Sequence, residues 1–170
     1  IYGQTKKNKT LPLNIHSYRR EDVIMMIRGY FDADATFYSN SDKKLHRISV
    51  GSCNKHLLEE VKDVLFKFGI HSTISYSPSK NPADRSIILD SYVCNILDKL
   101  SMLKYCDIIG TDIGDRREKL DSIRKFSSNF STFGSFRSKY IDGVIIERID
   151  KIEYIGIKPV YNLTASDTHT

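Results

Sequence analysis

Ile27-Arg28-Gly29-Tyr30-Phe31-Asp32-Ala33-Asp34-Ala35 decides how the rest of the chain is read. It closes an apolar stripe of Val23, Met26, Ile27 and Tyr30, whose spacing predicts a helix from about Tyr18 to Phe31 with Ser17 as its N-cap. Gly29 costs such a helix roughly 1 kcal/mol relative to alanine. Gly29 and Ala33 stand four apart on one face, with Met26 beside them, and small residues at that spacing let a second helix backbone approach closely. Asp32 and Asp34 are two apart, about 200° around a helix, so they cannot serve one site equally. One can project past the helix end while the other bonds locally. If a second such helix crosses here, two carboxylates meet, and a hard cation such as Mg²⁺ neutralises them. The same spacing also fits an ordinary helix end carrying two solvated acids.

Outward from this stretch the elements alternate. Thr36–Tyr38 and Leu45–Val50 read as strands around the turn Ser39-Asn40-Ser41-Asp42. Asn54 caps a helix whose stripe is Leu57, Leu58, Val61, Val64, Leu65 and Phe68, and Gly69 ends it. A second strand pair is expected at Ser72–Ser77 and Arg85–Leu89, then helices at Tyr92–Leu103 and Arg116–Phe126. The order helix, two strands, helix, two strands, helix makes an α+β fold, with an antiparallel sheet covered by helices on one face and open on the other. Residues 127–140, rich in Ser, Phe and Gly, read as a linker. Beyond them Val144–Ile149, Ile152–Ile155 and Val160–Leu163 have an all-β texture. The expected division is therefore 1–16, a basic arm; 17–126, the α+β unit; 127–140, the linker; and 141–170, a short all-β segment.

The 170 residues are 40% hydrophobic and 28% charged, enough for a packed core, which excludes wholesale disorder. No segment approaches the roughly 20 apolar residues of a membrane-spanning helix. Cys53, Cys94 and Cys106 form no C-x-x-C, so neither a disulfide framework nor a zinc site is expected, and a reducing, intracellular setting is. A chain opening on Ile1 reads as a fragment or a processed product. The net charge is +5, and residues 1–20 supply all of it through Lys6, Lys7, Lys9, Arg19 and Arg20 without a single acid. A basic arm of this kind suits a polyanion and equally fits a solvated terminus.

The quoted stretch resembles the motif of LAGLIDADG homing endonucleases, in the form seen inside inteins. Phe66-Lys67-Phe68-Gly69-Ile70, Ile108-Ile109-Gly110 and Arg116-Arg117-Glu118-Lys119-Leu120 are similar to the body and end of one such repeat. Lys9-Thr10-Leu11-Pro12 resembles the block preceding the second repeat. Asp142 to Thr170, with Pro159-Val160-Tyr161-Asn162-Leu163-Thr164 and Asp167-Thr168-His169, resembles the penultimate block of an intein's Hint splicing domain.

The resemblance implies an α-β-β-α-β-β-α repeat that cuts double-stranded DNA with Mg²⁺ or another divalent cation. Asp34 would hold the metal, with Ala35 at the motif's closing position, where the family has glycine, so strain is expected. Asp32 would be structural. Lys9, and Arg116 or Arg117, would be the basic catalytic residues. Gly29, Ala33 and Met26 would meet a second repeat, supplied upstream or by a second copy. DNA would lie on the open sheet face, with Arg47 and Ser49 outward and Lys43, Lys44, Tyr76 and Arg85 as further contacts. Asn162 and His169 would belong to splicing, which the chain as given lacks the residues to complete. Two alternatives stand beside this reading: a DNA-binding module without catalysis, and a degenerate intein fragment with a splicing or structural role.

Overall fold

The helix carrying the quoted motif runs straight into the sheet. In the computed structural model, which describes residues 8–40, 42, 45–80, 86, 88–128, 139–141, 144–146, 151–154 and 156, α1 (Arg20–Asp34) is followed without a break by β1 (Ala35–Asn40). There follow β2 (Leu45–Ser52), α2 (Lys55–Lys67), β3 (Thr73–Tyr76), the short pair β4 (Ser79–Lys80) and β5 (Ile88–Leu89), and β6 (Tyr92–Ile96). Then come α3 (Lys99–Lys104), a π-helical turn (Tyr105–Ile109) and α4 (Gly114–Ser128). The chain divides into two compact units, Ile1–Thr132 and Phe133–Thr170.

In the first unit the sheet order is β1-β2-β6-β3, and every neighbour is antiparallel. Side chains alternate across a strand. Register therefore puts Phe37, Ile48, Val50, Cys94 and Ile96 on one face, where they are buried against Ile27 and Phe31 of α1, Leu58, Val61 and Leu65 of α2, and Ile123 of α4. The predicted stripes of α1 and α2 form this core, with Met26 and Phe68 partly buried at its margin. Asn54 caps α2 by accepting a hydrogen bond from the Leu57 amide at 3.2 Å. At the other end Ile70 N–H donates to Leu65 C=O (3.0 Å) and Gly69 N–H to Phe66 C=O (2.8 Å), a Schellman closure. Gly69 takes φ +70°, and a Cβ there would stand 2.6 Å from Lys104 Nζ.

Several elements differ from the sequence expectation. Ser17 does not cap α1; it sits in a 3₁₀ turn (Ile15–Ser17), its hydroxyl donating to Asn14 C=O, and the helix begins at Arg20. Tyr92–Leu103 is not one helix but β6 followed by the short α3, capped by Asp98. The partner of β3 is accordingly β6, while Ile88–Leu89 pairs with Ser79–Lys80.

In the second unit β7 (Lys139–Ile141) pairs antiparallel with β8 (Val144–Ile146). A strand thus begins where a linker was expected. In the expected strand Ile152–Ile155, residues 152–154 have no regular structure. The expected strand Val160–Leu163 lies outside the described residues.

Candidate functional site

The sheet face opposite the helices carries Thr36 and Tyr38, Arg47, Ser49 and Gly51, Val93 and Asn95, and Thr73 and Ser75, as the strand register requires. Beside it opens a concavity of about 700 Å³, whose lining includes Lys9, Tyr30, Asp34, Thr36, Arg47 and Ser49. Asp34 is the last residue of α1 and is exposed. Among the described residues no hydrogen bond or ion pair engages its carboxylate. Two basic residues singled out in the sequence, Lys9 and Arg47, thus share one concavity with the projecting acid. Lys9 is held by its backbone: its C=O accepts from Asn54 Nδ2 at 2.6 Å, and two residues on, Leu11 N–H donates to Glu60 Oε2 at 2.8 Å. The Arg47 guanidinium lies 6.0 Å from the Tyr38 ring centroid, which steadies it over the open face.

The second acid of the motif has a different occupation. Asp32 accepts a short hydrogen bond from Thr111 Oγ1 and another from Asp112 N–H at 3.0 Å. Arg28 Nε donates to Ile109 C=O at 2.5 Å, and its Nη1 lies 3.3 Å from Asp112. Arg116 Nη1 donates to Phe31 C=O at 2.8 Å, and its guanidinium lies over the Phe37 ring. These three side chains tie the last turn of α1 to the junction between the π-helical turn and α4. Gly110 makes that junction possible. Its φ of 67° and ψ of −158° is a region essentially limited to glycine, and it ends the π-helical turn with its N–H on Tyr105 C=O.

Several expectations are corrected here. Arg116 does not line the concavity; it caps the carbonyl end of α1. Arg117 is exposed and does not line it either. Ser49 lies on the open face as expected but is only 5% exposed, in the floor of the concavity between Thr36 and Asn95. Tyr76 is not on that face: it shares the parity of Ile74, packs against Tyr92 and donates to Asp90 at 2.9 Å. Ala35 has φ −83° and ψ 154°, which any residue adopts, so the expected strain at the missing glycine is not there. Gly29 and Ala33 are exposed, and a Cβ on Gly29 would meet nothing within 4 Å. Met25, 59% exposed, shares their face, whereas Met26 leans on the core. Lys43, Lys44, Arg85, Asn162 and His169 lie outside the described residues.

Tyr30, which the sequence marked only as core, also lines the concavity. Its hydroxyl is buried with no hydrogen-bond partner among the described residues, and burial first, then the Asp34 charge, push its pKa far up. Among the described residues no group of three or more His, Cys, Asp or Glu could hold an ion. The donors present, the Asp34 carboxylate with the Ala35 carbonyl beside it in sequence, are hard oxygens of the kind Mg²⁺ takes, and among the described residues Asp34 is the one acid in the lining.

The sequence profile of the LAGLIDADG-like domain matches residues 21–110, from the first turn of α1 to Gly110. The chain belongs to the LAGLIDADG-like domain family. Members of this family are generally divalent-metal-dependent DNA endonucleases that pair two repeats, within one chain or between two. The chain is also 30% identical over 132 residues to the ATP-dependent DNA helicase Hel308 of Methanocaldococcus jannaschii, a match covering 71% of this chain. It spans only 10% of that helicase. The LAGLIDADG match contains α1 from its second residue, α2 and the whole four-stranded sheet, so Asp34 and the lining of the concavity other than Lys9 lie within it, while Lys9 and α4 flank it. Among the described residues no helix is long and apolar enough to cross a membrane.

Proposed function

We propose that this chain is one half of a sequence-specific, metal-dependent DNA endonuclease of the homing type, carried within an intein. The observation that supports it most is the single unengaged carboxylate of Asp34 at the mouth of a basic concavity, beside an open antiparallel sheet. A two-stranded antiparallel ribbon, such as β1 and β2 form, fits the major groove of duplex DNA. Lys9 attracts and positions the phosphate backbone and stabilises the negative charge that develops on the scissile phosphate, while Arg47 adds positive charge to the open face. Asp34 holds the cation, with the Ala35 carbonyl beside it. When bound, a divalent cation polarises the phosphate and lowers the pKa of an attacking water. Asp32 carries no part of this; it anchors the helix end.

One acid per chain is half a centre. The face of Met25, Gly29 and Ala33 takes a second such helix, from a repeat upstream or a second copy, and brings the second acid. The intein reading draws on the Lys9–Pro12 block and on Asp142 to His169. It is further supported by a match confined to a tenth of a far longer DNA helicase, as an inserted element would give. Supplying the N-terminal part and final residues of an intein should then yield ligated product. A second reading, a DNA-binding module without catalysis, is favoured by the single acid in the concavity.

The two readings separate on one variant. With Mg²⁺ and a library of duplexes, the wild-type chain, alone or joined to an upstream repeat, should cut. Asp34→Asn should lower cutting by at least about 100-fold while keeping specific binding. Cutting retained by Asp34→Asn removes Asp34 from the mechanism, and no cutting in either format leaves the binding module.

A further inference from the structure

Asn95 is not among the residues the sequence marked, because its segment read as helix. It lies on β6, on the open face, directly opposite Ser49 on one side and Thr73 on the other. Its amide nitrogen is fully engaged: Nδ2 donates to Ser75 Oγ and to Val93 C=O, each at 3.2 Å. A carboxamide has two N–H donors and one carbonyl acceptor. The backbone carbonyl of Val93 can only accept, so the amide cannot be turned round without losing that bond. What remains to face a ligand is the carbonyl oxygen alone.

We infer that Asn95 is a base-reading residue of fixed polarity, an acceptor that selects an exocyclic amino group, adenine N6 or cytosine N4, in the major groove. Guanine O6 and thymine O4 present acceptors there and are repelled. A freely rotating asparagine would instead pair bidentately with adenine and distinguish it from cytosine; the pinned one does not. Arg47 supplies the opposite polarity. It stands two residues from Ser49, the partner of Asn95, so it is about 7 Å along the strand and about 5 Å across from Asn95. The component along the strand is about two base steps of 3.4 Å each. Arg47 has only donors and reads acceptors such as guanine O6 and N7. The open face therefore reads one amino-bearing base and, about two steps away, one guanine-like edge.

This inference rests on the sheet face being the DNA interface, and the experiment separates the two. The full chain is equilibrated with a randomised duplex library, and the bound duplexes are sequenced. Wild type should favour A and C together at one position by about fivefold or more. Asn95→Ala should flatten that position alone. Ser75→Ala removes one of the two bonds on the amide and should leave the A-or-C preference in place, because Val93 C=O still fixes its orientation; a preference that then admits G or T overturns the fixed polarity. Thermal melts of each variant establish that it is folded. Binding with the A-or-C preference intact in Asn95→Ala, or a G or T preference at that position in wild type, overturns the assignment of Asn95 and leaves the interface standing. No binding by wild type at low salt overturns the interface and this inference with it.

Discussion

Thr111 shows how much the end of α1 depends on residues distant in the chain. Its hydroxyl donates to Asp32, and the neighbouring Asp112 amide donates to the same carboxylate, 79 and 80 residues along the chain. Thr111→Val keeps the shape and removes the donor to a charged acceptor, which should cost about 1.5–3 kcal/mol in thermal or denaturant unfolding. Thr111→Ser should recover most of it. An unchanged melt for the valine variant would show that Asp32 has other support. That Asp32 and Asp34 have different surroundings was legible from their spacing, since 200° of helix cannot aim both at one place. The identity of Asp32's partners was not, because nothing local in the sequence pairs position 32 with 111. The partner of Arg116 was not legible for the same reason: its guanidinium donates to the Phe31 carbonyl, 85 residues back along the chain.

At the scale of elements, α2 was fully legible, since its cap, stripe and terminating glycine all agree. β6 was not. Val93, Ile96, Leu97 and Leu100 match helical spacing, but Tyr92, Cys94 and Ile96 also match the period of a strand. Tertiary pairing on both edges, with β2 and β3, decides for the strand. The sheet also sets up a pH dependence. His46 of β2 is 6% exposed, stacked on Phe126 of α4 at 3.8 Å and hydrogen-bonded with Ser39 at 3.0 Å. Burial first, and Lys99 second, hold its pKa below the ordinary 6.5. The unfolded chain therefore takes up a proton near pH 6.5 that the folded chain refuses, and this contribution to stability is full above that pH and declines as pH falls below it. Chemical denaturation of wild type and His46→Leu across pH 5 to 7.5 should show the wild type losing stability relative to the variant on the acid side. A constant difference would contradict it.

For the whole molecule, the charge arithmetic points to a basic arm, and among the described residues of that arm Lys9 lines the concavity. Pairing was anticipated from Gly29 and Ala33, and in the single chain that face is open. Gly29→Ala distinguishes a free helix face from a crossing. With nothing within 4 Å of the new Cβ, the isolated chain should gain up to about 1 kcal/mol in a thermal melt. A close crossing has no room for that methyl, so sedimentation in the presence of duplex DNA should show fewer paired chains. Pairing unaffected by Gly29→Ala, or by the larger Gly29→Leu, would move the interface elsewhere.

The central claim is that a divalent cation sits on Asp34 beside bound DNA. Ferrous iron substituted for Mg²⁺, with ascorbate and peroxide, generates hydroxyl radicals that cut whatever surrounds the ion. In the full chain bound to duplex DNA, the protein backbone should be cut within a few residues of Asp34, with matching breaks in the DNA, and both should vanish in Asp34→Asn. Cuts centred on any other segment, or undiminished in Asp34→Asn, would contradict the account.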